Sequence, residues 1–182
     1  MKNFGRYIFL IAFIALVPFA TYFVLGASNT LVKTPQEKVI YNLPYPGLLP
    51  DSPLYITKVA RDRITDFLTR DNLKKAELYL LYSDKRVSMS LSMASKGKNQ
   101  LAIDTFMKGE KYFLQIPDLL KSAKQQGGQA PSSFVETLKL SNAKHKELIG
   151  ELIKVLPQGL NESLAQLSDL NLQVAREIES IQ

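Results

Sequence analysis

Two pairs of carboxylates are the residues of this sequence whose spacing best suits acid–base or cation chemistry. Asp62 and Asp66 stand four positions apart, as do Glu147 and Glu151, so within helices the two members of each pair share a face. Such a pair can share a proton or hold a cation between its oxygens. Both pairs also have lysine or arginine neighbours, and we therefore expect solvated ion pairs at these positions.

The single histidine and the lack of cysteine restrict the chemistry further. Without cysteine, the chain can form neither a disulfide nor a thiolate nucleophile nor a cysteine zinc site. One imidazole cannot supply the two or three nitrogen ligands that multi-histidine metal centres use. His145 lies between Lys144 and Lys146, whose charges disfavour both protonation and metal binding, so we expect a structural or surface residue.

Common enzyme signatures are also missing from the sequence. It contains no glycine-rich phosphate loop, no Gly-x-Ser-x-Gly elbow and no His-Glu-x-x-His helix. Serines and lysines are plentiful enough for a Ser–Lys dyad, but nothing marks one pair. We therefore predict no catalytic residue, no cofactor and no metal; an enzyme with an unrecognised Ser–Lys or carboxylate site remains a third alternative.

An uncharged apolar run near the N-terminus predicts a membrane segment. Residues 7–25 contain nineteen positions without a charge. As a helix this run would be about 28 Å long, close to the hydrocarbon thickness of a bilayer. Lys2 and Arg6 precede the run and no basic residue follows until Lys33, so the N-terminus should be cytoplasmic and the bulk of the chain extracytoplasmic. The residues that would anchor this helix are Tyr7, Leu10, Phe13, Leu16, Phe19, Phe23 and Leu25.

A cleaved secretory signal is the alternative interpretation of residues 1–26. The small residues Gly26, Ala27 and Ser28 would then lie near the cleavage site. Against this, the apolar run exceeds the roughly 7–15 residues of a typical signal sequence and has no clean Ala-x-Ala ending. With an uncleaved anchor the chain would be a single-pass protein of the cell membrane, and with a cleaved signal it would be secreted.

The net charge favours anionic partners. The chain carries 23 lysine and arginine residues against 17 aspartate and glutamate residues, a net charge of +6. Because we expect the chain to be exported, nucleic acid is not an expected partner. We expect instead the bilayer that holds the N-terminal helix, together with an envelope protein or an anionic wall polymer. A solvated surface of mixed charge explains the same balance without any partner.

Beyond residue 26 the chain divides into a tether and a helical domain. Pro35, Pro44, Pro46 and Pro50 interrupt residues 27–50, which predicts an extended tether. Its last part is too apolar for a spacer and should pack on the helices as a strap. Residues 51–182 have helical periodicity, except that residues 87–93 alternate as a strand would; we expect a helix there as well, because the apolar stripe continues through them. The expected fold is therefore all-α, with an N-terminal transmembrane helix and an antiparallel bundle of about five helices.

Capping and breaking residues place the ends of these helices. Pro53 suits a first helical turn, and an apolar stripe follows from Leu54 to Leu68. Residues 160–181 have heptad spacing with one polar position, Asn171. That seam could close the bundle or pair with a second copy in a homo-oligomer. The other expected caps and breaks are Ser52, Asp71 or Asn72, Gly97, Asn99, Pro117, Ser133 with Glu136, and Pro157.

Two stretches, 43–69 and 74–86, resemble a bacterial family that is catalogued only as a domain of unknown function. The resemblance covers about residues 43–125 and includes a Leu-Pro-Asp-Ser-Pro-Leu-Tyr motif and a Lys-Arg stretch. It implies a hydrophobic N-terminal segment and a helical domain, and no activity. A glutamate expected soon after the arginine is replaced by Ser88 and Ser90. The residues of a possible interaction or structural motif are Tyr45, Pro50, Asp51, Ser52, Pro53, Tyr55 and Arg86.

These features together favour a non-catalytic binding or interaction module at the cell envelope. The alternative is an envelope sensor or small-ligand-binding domain, with a cavity lined by Tyr79, Tyr82, Tyr112 or Arg86. In the first interpretation Arg86 has a structural role, in a salt bridge to Glu77 or to a carboxylate of the third helix.

Overall fold

The computed structural model describes residues 38–181, and within them the chain is helical without a strand. An all-helical domain is therefore confirmed. The predicted third helix is two helices, because the chain restarts at Pro117, so the described part has six α-helices. The helices are α1 (Tyr55–Leu68), α2 (Asn72–Ser95), α3 (Asn99–Phe113), α4 (Ile116–Gln125), α5 (Ser132–Val155) and α6 (Asn161–Glu179).

The long helix α2 is delimited by the local signals that predicted it. The Asp71 carboxylate accepts a hydrogen bond from the Lys74 backbone N–H at 2.9 Å, which satisfies one of the free donors of the first turn. At the other end, Gly97 has φ +72°, a left-handed conformation that a residue with a side chain rarely adopts. A tight connection to α3 follows, so α2 and α3 form a hairpin.

A glycine allows α2 and α3 to approach closely. A Cβ atom at Gly109 of α3 would lie 3.1 Å from the Ser83 carbonyl oxygen and 3.3 Å from the Arg86 Cβ of α2. Both contacts are shorter than ordinary van der Waals separation. Gly109 therefore sets the distance between the two helices at the level of Arg86.

The apolar core of the bundle is formed by helices α2 to α6. Helix α2 packs against α3 and α4, and α6 packs against α3 and α5. The heptad seam of α6 thus lies within the chain's own bundle, where Leu164, Leu167 and Val174 are buried. Burying one such side chain stabilises a fold by about 1.5–3 kcal/mol. The largest fully buried side chains elsewhere in the core are Phe106, Phe113, Met89, Met93, Ile103, Ile116 and Leu138.

Three of the predicted caps are wrong. Helix α1 begins at Tyr55 and not at Pro53, because Ser52 and Pro53 form a preceding turn in which the Ser52 hydroxyl accepts from the Leu54 N–H at 3.3 Å. Helix α3 includes Asn99 as its first residue. Ser133 lies inside α5, so it does not cap that helix. Each error is a shift of one or two residues from the true helix start.

The orientation of α1 is the larger departure from expectation. Its buried residues are Lys58 and Asp62, whereas most of the predicted apolar stripe faces away from the bundle. The outward residues form what we call the α1 outer face, which consists of Ile56, Ala60, Ile64, Phe67 and Leu68. Helical periodicity shows that a helix has two unlike faces, but it does not show which of them is buried.

The segment before α1 packs along the helices as a strap. The Val39 backbone N–H donates to Glu147 of α5 at 2.7 Å, and the Tyr41 hydroxyl donates to Asp84 of α2 at 2.5 Å. Farther along, the Ser88 hydroxyl donates to the Pro44 carbonyl oxygen. Hydrogen bonds therefore hold residues 39–44 against the bundle as a strap, whereas Tyr45 and Leu48, which were expected to be covered, are exposed.

None of the helices within residues 38–181 is both long and apolar enough to cross a bilayer. The predicted anchor and its residues, 7–25, lie outside the described residues, and so does the first part of the predicted tether.

Candidate functional site

Arg86 is a buried cation that lacks a carboxylate partner in the described part of the chain. Its side chain is 7% exposed. Within residues 38–181, its one hydrogen bond is a long one, 3.4 Å from Nη1 to the Tyr82 carbonyl oxygen, and its Nε has no acceptor. The guanidinium lies over the Tyr112 ring, 4.4 Å from its centroid. This stacking fixes the plane of the guanidinium but neutralises none of its charge.

The salt bridge predicted for Arg86 is therefore absent from the described residues. Of the carboxylates that the prediction considered, Glu77 is exposed, and Glu110 of α3 pairs with His145. Ser88 and Ser90 occupy positions where an acidic residue was expected, and neither can neutralise the arginine. Burying an unpaired charge costs several kcal/mol, so an unpaired arginine in this position calls for an explanation.

Arg86 lines a cavity of about 200 Å³ between α1, α2 and α3. Two further cations line it, Arg63 of α1 and Lys108 of α3, and both are exposed to solvent at its rim. Lys108 and Tyr112 lie one helical turn apart on α3, beside Gly109, and so the close approach of α3 to α2 brings them to Arg86. We call this cavity the Arg86 pocket; its lining residues are Tyr55, Val59, Asp62, Arg63, Arg86, Lys108 and Tyr112.

The one acidic residue of the Arg86 pocket is already neutralised. Asp62 accepts from Lys58 Nζ at 2.6 Å and from Arg61 Nη2 at 2.8 Å. Burial by itself would raise the pKa of Asp62, but the hydrogen bonds from these two cations outweigh it and hold the pKa below its usual value. With Asp62 ionised and paired, Arg63, Arg86 and Lys108 leave the pocket with excess positive charge.

Tyr55 adds a hydroxyl group to the same pocket. Burial raises its pKa above the ordinary value of 10.0, so the hydroxyl keeps its proton at neutral pH and can donate a hydrogen bond. The Arg86 pocket thus combines three cations with phenolic hydroxyl groups.

A second polar cluster lies in the centre of the bundle, and its members on the helices are buried. His145 of α5 is fully buried, with Nδ1 2.8 Å from Glu110 of α3 and Nε2 3.0 Å from Asp84 of α2. Asp84 also accepts hydrogen bonds from the Ser141 and Tyr41 hydroxyls. These five residues, the His145 network, join the strap and three helices.

The histidine of this network is charged. Burial alone would lower the pKa of His145, but the two carboxylates outweigh it and raise the pKa to about 9. The expectation that its lysine neighbours would disfavour protonation is wrong, because residues adjacent in a helix point about 100° apart. Lys144 pairs with Glu147 instead. His145 is buried, so of the two predicted locations the surface one is wrong. Its two carboxylates lie on opposite sides of the ring, which does not suit a shared metal ion.

The carboxylate pairs form no joint site. Asp62 binds Lys58 and Arg61, while Asp66 binds Lys75 of α2 at 3.2 Å. Glu147 binds Lys144 and the strap. Within residues 38–181 no group of three or more acidic or histidine side chains is arranged to hold a metal ion.

The residues of the predicted interaction motif lie in three places. Tyr55 and Arg86 meet in the Arg86 pocket. Asp51 accepts from Lys96 and Lys98 at the end of α2, next to Pro50, Ser52 and Pro53 in the turn before α1. Tyr45 is 83% exposed and lines a wider groove of about 640 Å³ between the strap and α1.

The chain matches a known protein family. The sequence profile of a domain of unknown function, DUF5667, matches residues 47–158, which is more than half of the chain. The chain belongs to the DUF5667 family. The resemblance to a family of unknown function is thereby confirmed, and the match runs beyond the expected end near residue 125. Neither a curated protein nor a solved structure matches the chain.

The DUF5667 region contains every residue of the Arg86 pocket. It runs from the end of the strap through α5 and stops before α6. The apolar residues of α6 that complete the core therefore lie outside the family match, and so does Tyr41 of the His145 network.

Proposed function

We propose that this chain is a non-catalytic binding module, anchored in the cell membrane by residues 7–25 with its helical domain on the extracytoplasmic side, and that α1 rests on the surface of that membrane. The observation that carries the proposal is the inverted orientation of α1. A helix that buries Lys58 and Asp62 and exposes Ile56, Ile64 and Phe67 leaves apolar surface that water solvates poorly.

The polar residues around the α1 outer face suit a lipid surface. At 100° per residue, Arg63 and Arg61 lie at the two margins of this face. Both aspartates of α1 are on the inner side, where Asp62 binds Lys58 and Asp66 binds Lys75 of α2. An apolar face flanked by arginines and free of acidic residues is typical of helices that lie in the interface of an anionic bilayer.

The length of the connecting chain keeps the domain within reach of the bilayer. Twelve residues lie between Leu25, the end of the apolar run, and Lys38, the first described residue. Fully extended, a chain of this length spans at most about 45 Å. An anchored run at residues 7–25 would therefore hold the helical domain close to the membrane, where weak contacts of α1 gain from high effective concentration.

A single-label experiment tests the contact of α1 with lipid. Because the chain has no cysteine, Ile64→Cys gives one labelling site on the α1 outer face. The matched control is Leu172→Cys on α6, a leucine that is also exposed and lies outside the outer face. Each full-length variant, carrying an environment-sensitive fluorophore, is reconstituted into vesicles that contain anionic lipid and a lipid-borne quencher.

We expect lipid-borne quenching and a blue-shifted emission for the label at position 64, and neither for the label at 172. Equal, water-like emission at both positions would contradict the proposal. Protection of position 64 that depends on an added protein would indicate a protein partner instead. In addition, the mass of the chain extracted from cell membranes should include residues 1–26, because an uncleaved anchor retains them; loss of these residues would indicate a signal peptide.

A further inference from the structure

The Arg86 pocket has the charge of a binding site but contains no counter-charge of its own. Arg86 is more than nine-tenths buried, and its Nε finds no acceptor within residues 38–181. Asp62 is engaged by Lys58 and Arg61, so it does not compensate Arg86. A buried guanidinium is stable when an anion pairs with it. The missing partner of Arg86 is therefore expected to be an anion that enters the pocket.

The size and the donors of the pocket restrict the class of anion. At about 200 Å³, the pocket is smaller than the roughly 300–1,000 Å³ of sites for drug-sized ligands. Three cations and the Tyr55 hydroxyl offer more donors and more charge than a single carboxylate uses. A phosphate group matches them better, because it carries up to two negative charges and at least three acceptor oxygens.

We propose that the Arg86 pocket binds a phosphate group. The Arg86 guanidinium binds it at the buried end of the pocket, and Arg63 and Lys108 bind it at the exposed rim. Arginine suits the buried position, since its planar fork of donors matches phosphate oxygens and Tyr112 holds that plane in place. The exposed Arg63 and Lys108 attract the anion and close around it. Gly109 is part of the site, because it admits α3 to the distance at which Lys108 and Tyr112 reach Arg86.

Two sources of the phosphate group share this chemistry. One is a soluble phosphate ester or inorganic phosphate, and the other is the head group of a membrane lipid. Arg63 lies between the pocket and the α1 outer face, so a head group could enter the pocket when that face contacts the bilayer. The lipid source rests on the proposed function, whereas the soluble source is independent of it.

The test follows the Arg86 side chain directly by NMR. The full chain is kept in maltoside micelles, which contain no phosphate, and the Nε–H resonance of Arg86 is assigned by its loss in Arg86→Lys. Inorganic phosphate and, separately, phosphatidic acid are titrated at constant ionic strength. We expect a saturable shift of the Arg86 resonance with at least one of them; saturation by phosphate indicates a soluble source, and saturation by phosphatidic acid alone indicates a head group.

Surface variants keep the test independent of folding. Arg63→Gln with Lys108→Gln removes two exposed rim charges, and we expect binding roughly tenfold weaker, because each exposed charge contact is weak by itself. The matched control is Arg176→Gln with Lys154→Gln, which removes two exposed charges outside the pocket and should bind as the native chain does.

The absence of a saturable shift with either probe, or equal binding by both double variants, would overturn the proposal. If phosphate binds but α1 does not contact lipid, the phosphate site is supported and only the proposed function is refuted.

Discussion

The charge on His145 should make the stability of the fold depend on pH. In the folded chain the carboxylates of Glu110 and Asp84 outweigh burial and raise the pKa of His145 from 6.5 to about 9. A group whose pKa is higher in the folded state contributes its full stability below its unfolded pKa. That contribution is then lost as the pH rises through the folded value. The affected window is therefore about pH 6.5 to 9.

The size of the effect follows from the two pKa values. Each tenfold change in proton affinity is worth about 1.4 kcal/mol, so the charged form of His145 contributes on the order of 3 kcal/mol. Burial together with Asp84 also raises the pKa of Tyr41 above its ordinary value of 10.0, so this neighbour stays neutral through the window. The stability lost across the window is a large fraction of the roughly 5–15 kcal/mol that holds a domain folded.

NMR and urea unfolding of the full chain check this reasoning. Because the chain has one histidine, its ring resonance needs no assignment, and it should titrate near pH 9. The free energy of unfolding is measured for the native chain and for His145→Gln, which cannot take up the proton. Their difference should be largest at about pH 6 and fall by about 3 kcal/mol at pH 10. A histidine that titrates at or below 6.5 in the folded chain, or a difference that does not change with pH, would refute the charged His145 network.

Further substitutions test a close helix contact, a helix cap and a buried amide pair. Gly109→Ala should destabilise the fold by about 1 kcal/mol because the strain of the close contact exceeds the gain in helix propensity. Gly150→Ala, where a Cβ would meet no atom within 4 Å, should instead stabilise the fold by about 0.5 kcal/mol; urea unfolding compares the two. Asp71→Ala should cost about 1 kcal/mol and lower the melting temperature, whereas Asp71→Asn keeps a capping oxygen and should not. Asn171→Leu should cost about 1–3 kcal/mol by leaving Asn142, its partner at 2.8 Å, unpaired, and adding Asn142→Leu should recover most of the loss in calorimetry.

Local chemistry made parts of this fold predictable. The Asp71 cap, the Gly97 stop and the restart at Pro117 depend on interactions within a few residues, and so the sequence alone indicates them. The inversion of α1 depends on what the rest of the chain offers to Lys58 and Asp62. No local pattern reports that, so the apolar spacing of α1 does not show which way the stripe faces.

The Arg86 pocket and the His145 network could not be predicted in the same way, because each is formed by residues that are distant in sequence. Asp84, Glu110 and His145 come from three helices, and no spacing rule brings them together. One signal was nevertheless present: each of the three occupies a position within an otherwise apolar stripe. Glu110, for example, follows Phe106 by four residues and precedes Phe113 by three, and all three are buried. A charged residue on a buried stripe requires a partner from another helix, and this requirement could have been stated from the sequence.

The attachment of the strap has a mechanical consequence. A pull that enters the helical domain through Lys38 meets the hydrogen bond from Val39 to Glu147 and then that from Tyr41 to Asp84 before it reaches α1. Load along the strap is thus borne by α5 and α2 in the middle of the bundle, and it acts on the same carboxylate that holds His145. Tension on the connecting chain would therefore act first on the His145 network, and α1 would carry no load.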